Sequence, residues 1–151
     1  MKKLMLILAM VLISSTAWSF DQGLASSYAK YFQPFDGKAT SKALHFIKAP
    51  DFVNAIKSGE KLFVLDIRTP AETAIVAMGV NEKLAVPMNR VFSPETFAKL
   101  PTDRKIVVVC KAGVRAMAIA TALRHTGFDN VYVLKGGIAG LAKYVVPKTV
   151  Y

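Results

Sequence analysis

Short apolar runs alternate with longer stretches of helical periodicity along this chain. Runs at 62–67, 84–88, 105–109 and 131–134 have the length and β-branched content of buried strands, and 43–47 reads as a short edge strand. Between them, 50–57, 93–100 and 114–126 place apolar residues on one helical face. Their ends are marked as well. Pro50 opens the first and Gly59 follows it, Ser93-Pro94-Glu95 opens the second, and Gly127 stops the third. The first of these helices is expected to present Phe52, Val53 and Ile56 to the core, and a final short helix is expected at 138–144 after the Gly136-Gly137 turn. Strand, helix, strand in repetition predicts an α/β fold, with a central, mainly parallel sheet covered by helices on both faces.

The amino-terminal part differs. Lys2 and Lys3 precede an apolar run at 4–13, and then come the small residues Ala17 and Ser19, the layout of an export signal cut before Phe20. Ten apolar residues are too few to span a bilayer comfortably. Three segments are therefore expected: a signal peptide at 1–19, an extension at 20–42 and a domain at 43–151. A helix at about 22–32 would pack Tyr28, Tyr31 and Phe32 on that domain, with a flexible leader as the alternative. The expected location is periplasmic or secreted, with no stable membrane span after cleavage.

Charge narrows the partners. The chain carries 20 Lys and Arg against 10 Asp and Glu, a formal net charge of +10. Removing 1–19 takes two lysines away and leaves 132 residues at +8, enough for one domain. The cations are scattered, no basic run reaches five residues and no nucleic-acid motif is present, so nucleic acid is excluded as a partner. An anionic membrane face, acidic small molecules or acidic partners remain.

Chemistry concentrates at one place. Cys110, the single cysteine, stands at the end of the 105–109 strand, and Lys111-Ala112-Gly113-Val114-Arg115 leads from it into a helix. Backbone N–H groups of a tight loop opening a helix converge on the loop's centre and carry the positive end of the helix dipole. Such a cradle favours thiolate over thiol. Lys111 and Arg115 add cationic charge that would attract an anionic substrate, and Gly113 supplies the backbone freedom that the loop needs. An unpaired thiol in an exported protein also suits a reactive role, because structural cysteines there come in pairs. The other reading is a buried structural cysteine. His45 and His125 are far from Cys110 in sequence and show no ligand spacing, so neither a metal site nor a cofactor is expected.

Asp66 and Arg68, at the end of the 62–67 strand, fall on the same sheet edge as the cysteine loop. Two roles are open to them: an ion pair tying the strand end to neighbouring loops, with Asp66 as structural support, or substrate holding by Arg68. The first is favoured, since a partly buried pair is costly to break. Glu72 is expected in the first turn of the following helix.

Leu65-Asp66-Ile67-Arg68-Thr69-Pro70-Ala71-Glu72, the Cys110–Arg115 loop and Val131-Tyr132-Val133-Leu134-Lys135-Gly136-Gly137 resemble, in order and spacing, the rhodanese (sulfurtransferase) family over about 43–145. The resemblance implies a three-layer α/β domain in which Cys110 carries a persulfide. Four residues between Cys110 and Arg115 match the six-residue loop of the sulfurtransferases, while the phosphatases of this fold have one residue more. One stretch departs. Where many rhodaneses read Gly-His-Ile-Pro-Gly-Ala, this chain has Ala77-Met78-Gly79-Val80-Asn81-Glu82.

The expected reaction moves a sulfane sulfur from an anionic donor such as thiosulfate to a thiol or cyanide-like acceptor through Cys110, with the Lys111, Ala112, Gly113, Val114 and Arg115 amides, the two cationic side chains and Arg68 binding substrate. A catalytically weak binding or persulfide-carrier module acting on an envelope protein is the alternative.

Overall fold

The computed structural model describes residues 19–150. Apart from Ser19, the expected signal peptide lies outside the described residues, among which no helix is long and apolar enough to cross a membrane. Helix α1 (Gln22–Phe32) belongs to one compact unit and the chain from Gln33 onward to another. Within α1 the Tyr28 ring stacks on Phe32 with centroids 6.1 Å apart, and Tyr31 meets Phe32 edge to face at 4.9 Å.

The second unit holds a five-stranded parallel sheet in the order β1 (Phe46–Ile47), β5 (Val131–Leu134), β4 (Lys105–Val109), β2 (Leu62–Asp66), β3 (Lys83–Ala85). The buried β4 and β2 lie at its centre, as fully covered parallel strands must. Strand side chains alternate between faces. Leu62, Val64, Val107 and Val109 meet Phe52 and Ala55 of α3 (Ala49–Lys57) and Leu141 of α7 (Gly137–Tyr144). Leu65, Ile106 and Val108 meet Ala116, Ile119 and Leu123 of α6 (Val114–His125), with Phe97 of α5 (Pro94–Phe97) packed alongside. Each such aliphatic side chain removed from water contributes roughly 1.5–3 kcal/mol.

Two local differences from expectation have physical causes. The edge strand is only Phe46–Ile47, because 37–43 folds as a helix, α2 (Gly37–Ala43), whose sequence GKATSKA has no apolar stripe to betray it. Ile56 is not in the core. It is 40% exposed, because α3 buries Phe52 and Ala55 and turns Ile56 outward. The described residues close with one further turn, α8 (Pro147–Val150).

Register brings two strand ends level at one side of the sheet. Asp66 lies beside Val109, and just beyond them the Ile67 amide donates to the Val109 carbonyl at 2.9 Å. Ile67 and Cys110 therefore emerge level at the carboxyl edge, with Arg68 and Lys111 one residue further on.

Candidate active site

Alternation along β4 sends Val108 and then Cys110 toward the α6 face, where the cysteine is 1% exposed. It is a free thiol. Its apolar neighbours would suit the structural reading, but the sulfur itself meets donors. The Gly113 amide donates to Sγ at 3.1 Å and the Ala116 amide at 3.4 Å. Both belong to the opening of α6, where four N–H groups have no partner within the helix. Gly113, the residue before that helix, has φ 98°, a conformation that turns the chain sharply enough to aim these amides inward. Sequence reasoning placed the cradle at 111–115 and missed Ala116. Its only signal is its position in the first turn of the helix.

The loop is braced from behind by the turn after β5. The Ile138 amide donates to the Cys110 carbonyl at 2.9 Å, and the Ala139 amide to the Lys111 carbonyl at 3.0 Å. A trans peptide sets each carbonyl opposite the next N–H, so the Lys111 and Ala112 amides are turned away from α7. The approach is close enough to require glycine at 137. Its φ is 58°, and a Cβ there would overlap the Cys110 carbonyl oxygen and lie 2.7 Å from the Ala112 nitrogen.

The cations divide into paired and exposed. Arg68 is buried with Asp66. Its Nε reaches Oδ1 at 2.9 Å and Oδ2 at 3.1 Å, its Nη2 reaches Oδ2 at 2.6 Å, and its amide donates to Oδ1 at 3.1 Å. The hydrogen bonds to Asp66 hold the Arg68 guanidinium above its usual range. Arg115 is paired as well, through Nη1 at 3.0 Å and Nη2 at 2.6 Å to the Glu72 carboxylate. Glu72 also closes a capping box at the start of α4 (Pro70–Ile75), accepting from the Thr69 amide at 2.9 Å while Thr69 Oγ1 accepts from the Glu72 amide. Hydrogen bonds from Arg115, then from the Thr69 amide, pull the Glu72 carboxyl from 4.5 down to about 2. One carboxylate thus fastens the loop after β2 to the loop after β4. The Thr69-x-x-Glu72 spacing announces the cap. Nothing in the sequence announces a partner 43 residues away.

Lys111, Ala112 and Val114 are exposed on the loop, and Gly113 among them is half-buried. His45 stacks on Tyr132 with ring centroids 5.0 Å apart, and His125 ends α6. Among the described residues no cluster of His, Cys, Asp or Glu could hold a metal ion.

A cysteine sulfur receiving amide hydrogens at the start of a helix, on the carboxyl edge of a parallel sheet, is a cradle for an anionic sulfur. The family model of the rhodanese-like domain matches residues 48–144. The chain belongs to the rhodanese-like domain family. A solved rhodanese-related protein from Thermoplasma volcanium has the same fold, with a TM-score of 0.57 and 27% identity over 68% of this chain and 95% of that one. In sequence, the chain is similar to the probable adenylyltransferase/sulfurtransferase MoeZ of Mycobacterium tuberculosis, 38% identical over 95 residues, which are 63% of this chain and 24% of that protein. A sulfurtransferase from Allochromatium vinosum is 34% identical over 89 residues, 58% of this chain and 78% of that one. This rhodanese-like chain thus spans about a quarter of the first of these relatives.

Proposed function

We propose that this protein is a sulfurtransferase that carries a sulfane sulfur on Cys110, working in the periplasm or outside the cell. The observation that carries this reading is the pair of amide donors, Gly113 and Ala116, directed at Sγ. Membership of the rhodanese-like family and the resemblance to sulfurtransferases support it.

In the first half-reaction the Cys110 thiolate attacks the outer sulfur of thiosulfate. A new S–S bond forms, the S–S bond of the donor breaks, and sulfite leaves with the electron pair. The terminal sulfur of the resulting persulfide is an anion, and amides fixed in advance at the opening of α6 stabilise it without reorganising. In the second half-reaction a nucleophile such as cyanide takes the outer sulfur, leaving as thiocyanate and restoring the thiolate. Lys111, exposed at the loop, offers the charge that draws in the donor, acting as a point charge. Arg115, drawn from sequence as a second donor-binding cation, lies close enough to Cys110 to interact with its sulfur, and its Glu72 pair also holds the loop. Arg68 serves in the same way through Asp66.

Mass spectrometry after incubation with thiosulfate tests the reading. Cys110 should gain one sulfur atom and lose it on addition of cyanide, and Cys110→Ser should do neither while keeping the circular dichroism of the parent. An inert thiol in the parent protein would instead favour the module that only docks on an envelope partner.

A further inference from the structure

On the face of the sheet opposite α6, two helices and a loop enclose an open groove of about 560 Å³ whose lining includes no residue of the Cys110–Arg115 loop. Helix α7 and the residue after it line one wall with Ile138, Leu141, Ala142 and Val145, the i, i+3, i+4, i+7 set of one helical face. Helix α3 lines the other with Val53, Ile56 and Lys57. Val76, Met78 and Val80 close one side, and Met78 and Val80 belong to the stretch where the sequence departs from the common rhodanese pattern. The floor is dry, with Phe52, Met78 and Leu141 all buried. The rim is apolar and wet: Ile56 is 40% exposed, Val76 47% and Val145 41%.

Large aliphatic side chains gathered along one concavity mark an interaction site, where the same residues scattered singly would not. Charge indicates what enters. Lys57 is the single ionisable side chain in the lining, and no carboxylate lines it. Shape distinguishes a peptide from a bilayer, since a lipid surface cannot reach buried residues on the floor of a concave groove. The geometry points to a docking site for an acidic amphipathic helix of a partner protein. Its apolar side chains, about three at i, i+3 or i+4 and i+7, enter between α3 and α7, and its carboxylates meet Lys57.

The groove borders the sulfur loop without belonging to it. Ile138 lines it by its side chain, while the Ile138 amide holds the Cys110 carbonyl. A partner seated there stands beside the cysteine loop and leaves its mouth open.

Selection of a displayed library of random 16-residue peptides on the full chain tests this, followed by anisotropy titration of the synthesised winners. Enriched sequences should combine the apolar spacing with Asp or Glu. Ile56→Glu and Val145→Glu, both at exposed positions and so compatible with folding, should each weaken binding about tenfold or more. Lys57→Glu should weaken acidic peptides and spare a control in which their acids are replaced by glutamine. The proposal is overturned if no peptide is enriched, if the winners are basic, or if affinity survives both rim substitutions at an unchanged melting temperature. It is equally overturned if the rim substitutions abolish only retention on anionic phosphatidylglycerol vesicles, or only self-association in sedimentation, for then a membrane or a second copy of the chain is the occupant.

Discussion

The two edges of the parallel sheet carry similar residues to different ends. At the amino edge, Lys105 meets Glu60 at 2.7 Å, and Arg104 pairs with Glu82 and Asp103. Glu60 and Asp103 stand in water and Glu82 is half-buried, so that the groups form a largely solvated rim. At the carboxyl edge, Asp66 and Arg68 pair out of water, and Glu72 and Arg115 join two loops around a sulfur. The difference teaches that location decides what a charge pair does. In water a pair is screened and adds little, whereas beside a buried turn it fixes geometry because neither partner can be left alone.

The comparison breaks most severely at Asp66. Asp66→Ala leaves the Arg68 guanidinium buried and unpaired, and should cost about 3–5 kcal/mol in urea denaturation. Gly137→Ala comes next. The added methyl group collides with the Cys110 carbonyl, so the loop must shift. A displacement of that kind should lower kcat for thiosulfate about 100-fold, well beyond its effect on the urea midpoint.

Acid sharpens the contrast at Glu72. Its carboxyl is depressed from 4.5 to about 2 in the folded protein, so its contribution is complete above pH 4.5 and disappears as pH falls toward 2. The difference in urea midpoint between the parent and Glu72→Gln should therefore be constant at neutral pH and close across that window. The smallest effect belongs to the opposite edge. Glu60→Gln should change stability by less than about 1 kcal/mol, and added salt should erase the difference.

Much of the fold was legible because it is written in local pattern. The bounds of α1 and β5, the start of α6 after Gly113 and the Ser93-Pro94 opening of α5 follow from periodicity, caps and glycine, each of which acts within a few residues. Helix α2 escaped for the converse reason, as seven residues without an apolar stripe give periodicity nothing to detect. At the site, the cysteine, its loop and the Asp66–Arg68 pair could be named in advance. Asp66 and Arg68 are two residues apart, so a strand end brings them together unaided. Arg115 could be named but not understood, because the carboxylate it meets arrives from another loop.

What the sequence alone determined, then, is the list of elements, the thiol at a strand end and the helix opening beside it, since each depends on neighbours along the chain. The tertiary structure decided which cations are engaged and which is left exposed, that α7 braces the sulfur loop through Gly137, and that Ile56 faces a groove and not the core. These depend on pairs of residues tens of positions apart. Only the register of β2 against β4 and the crossing of α7 behind Cys110 bring such pairs within hydrogen-bonding distance.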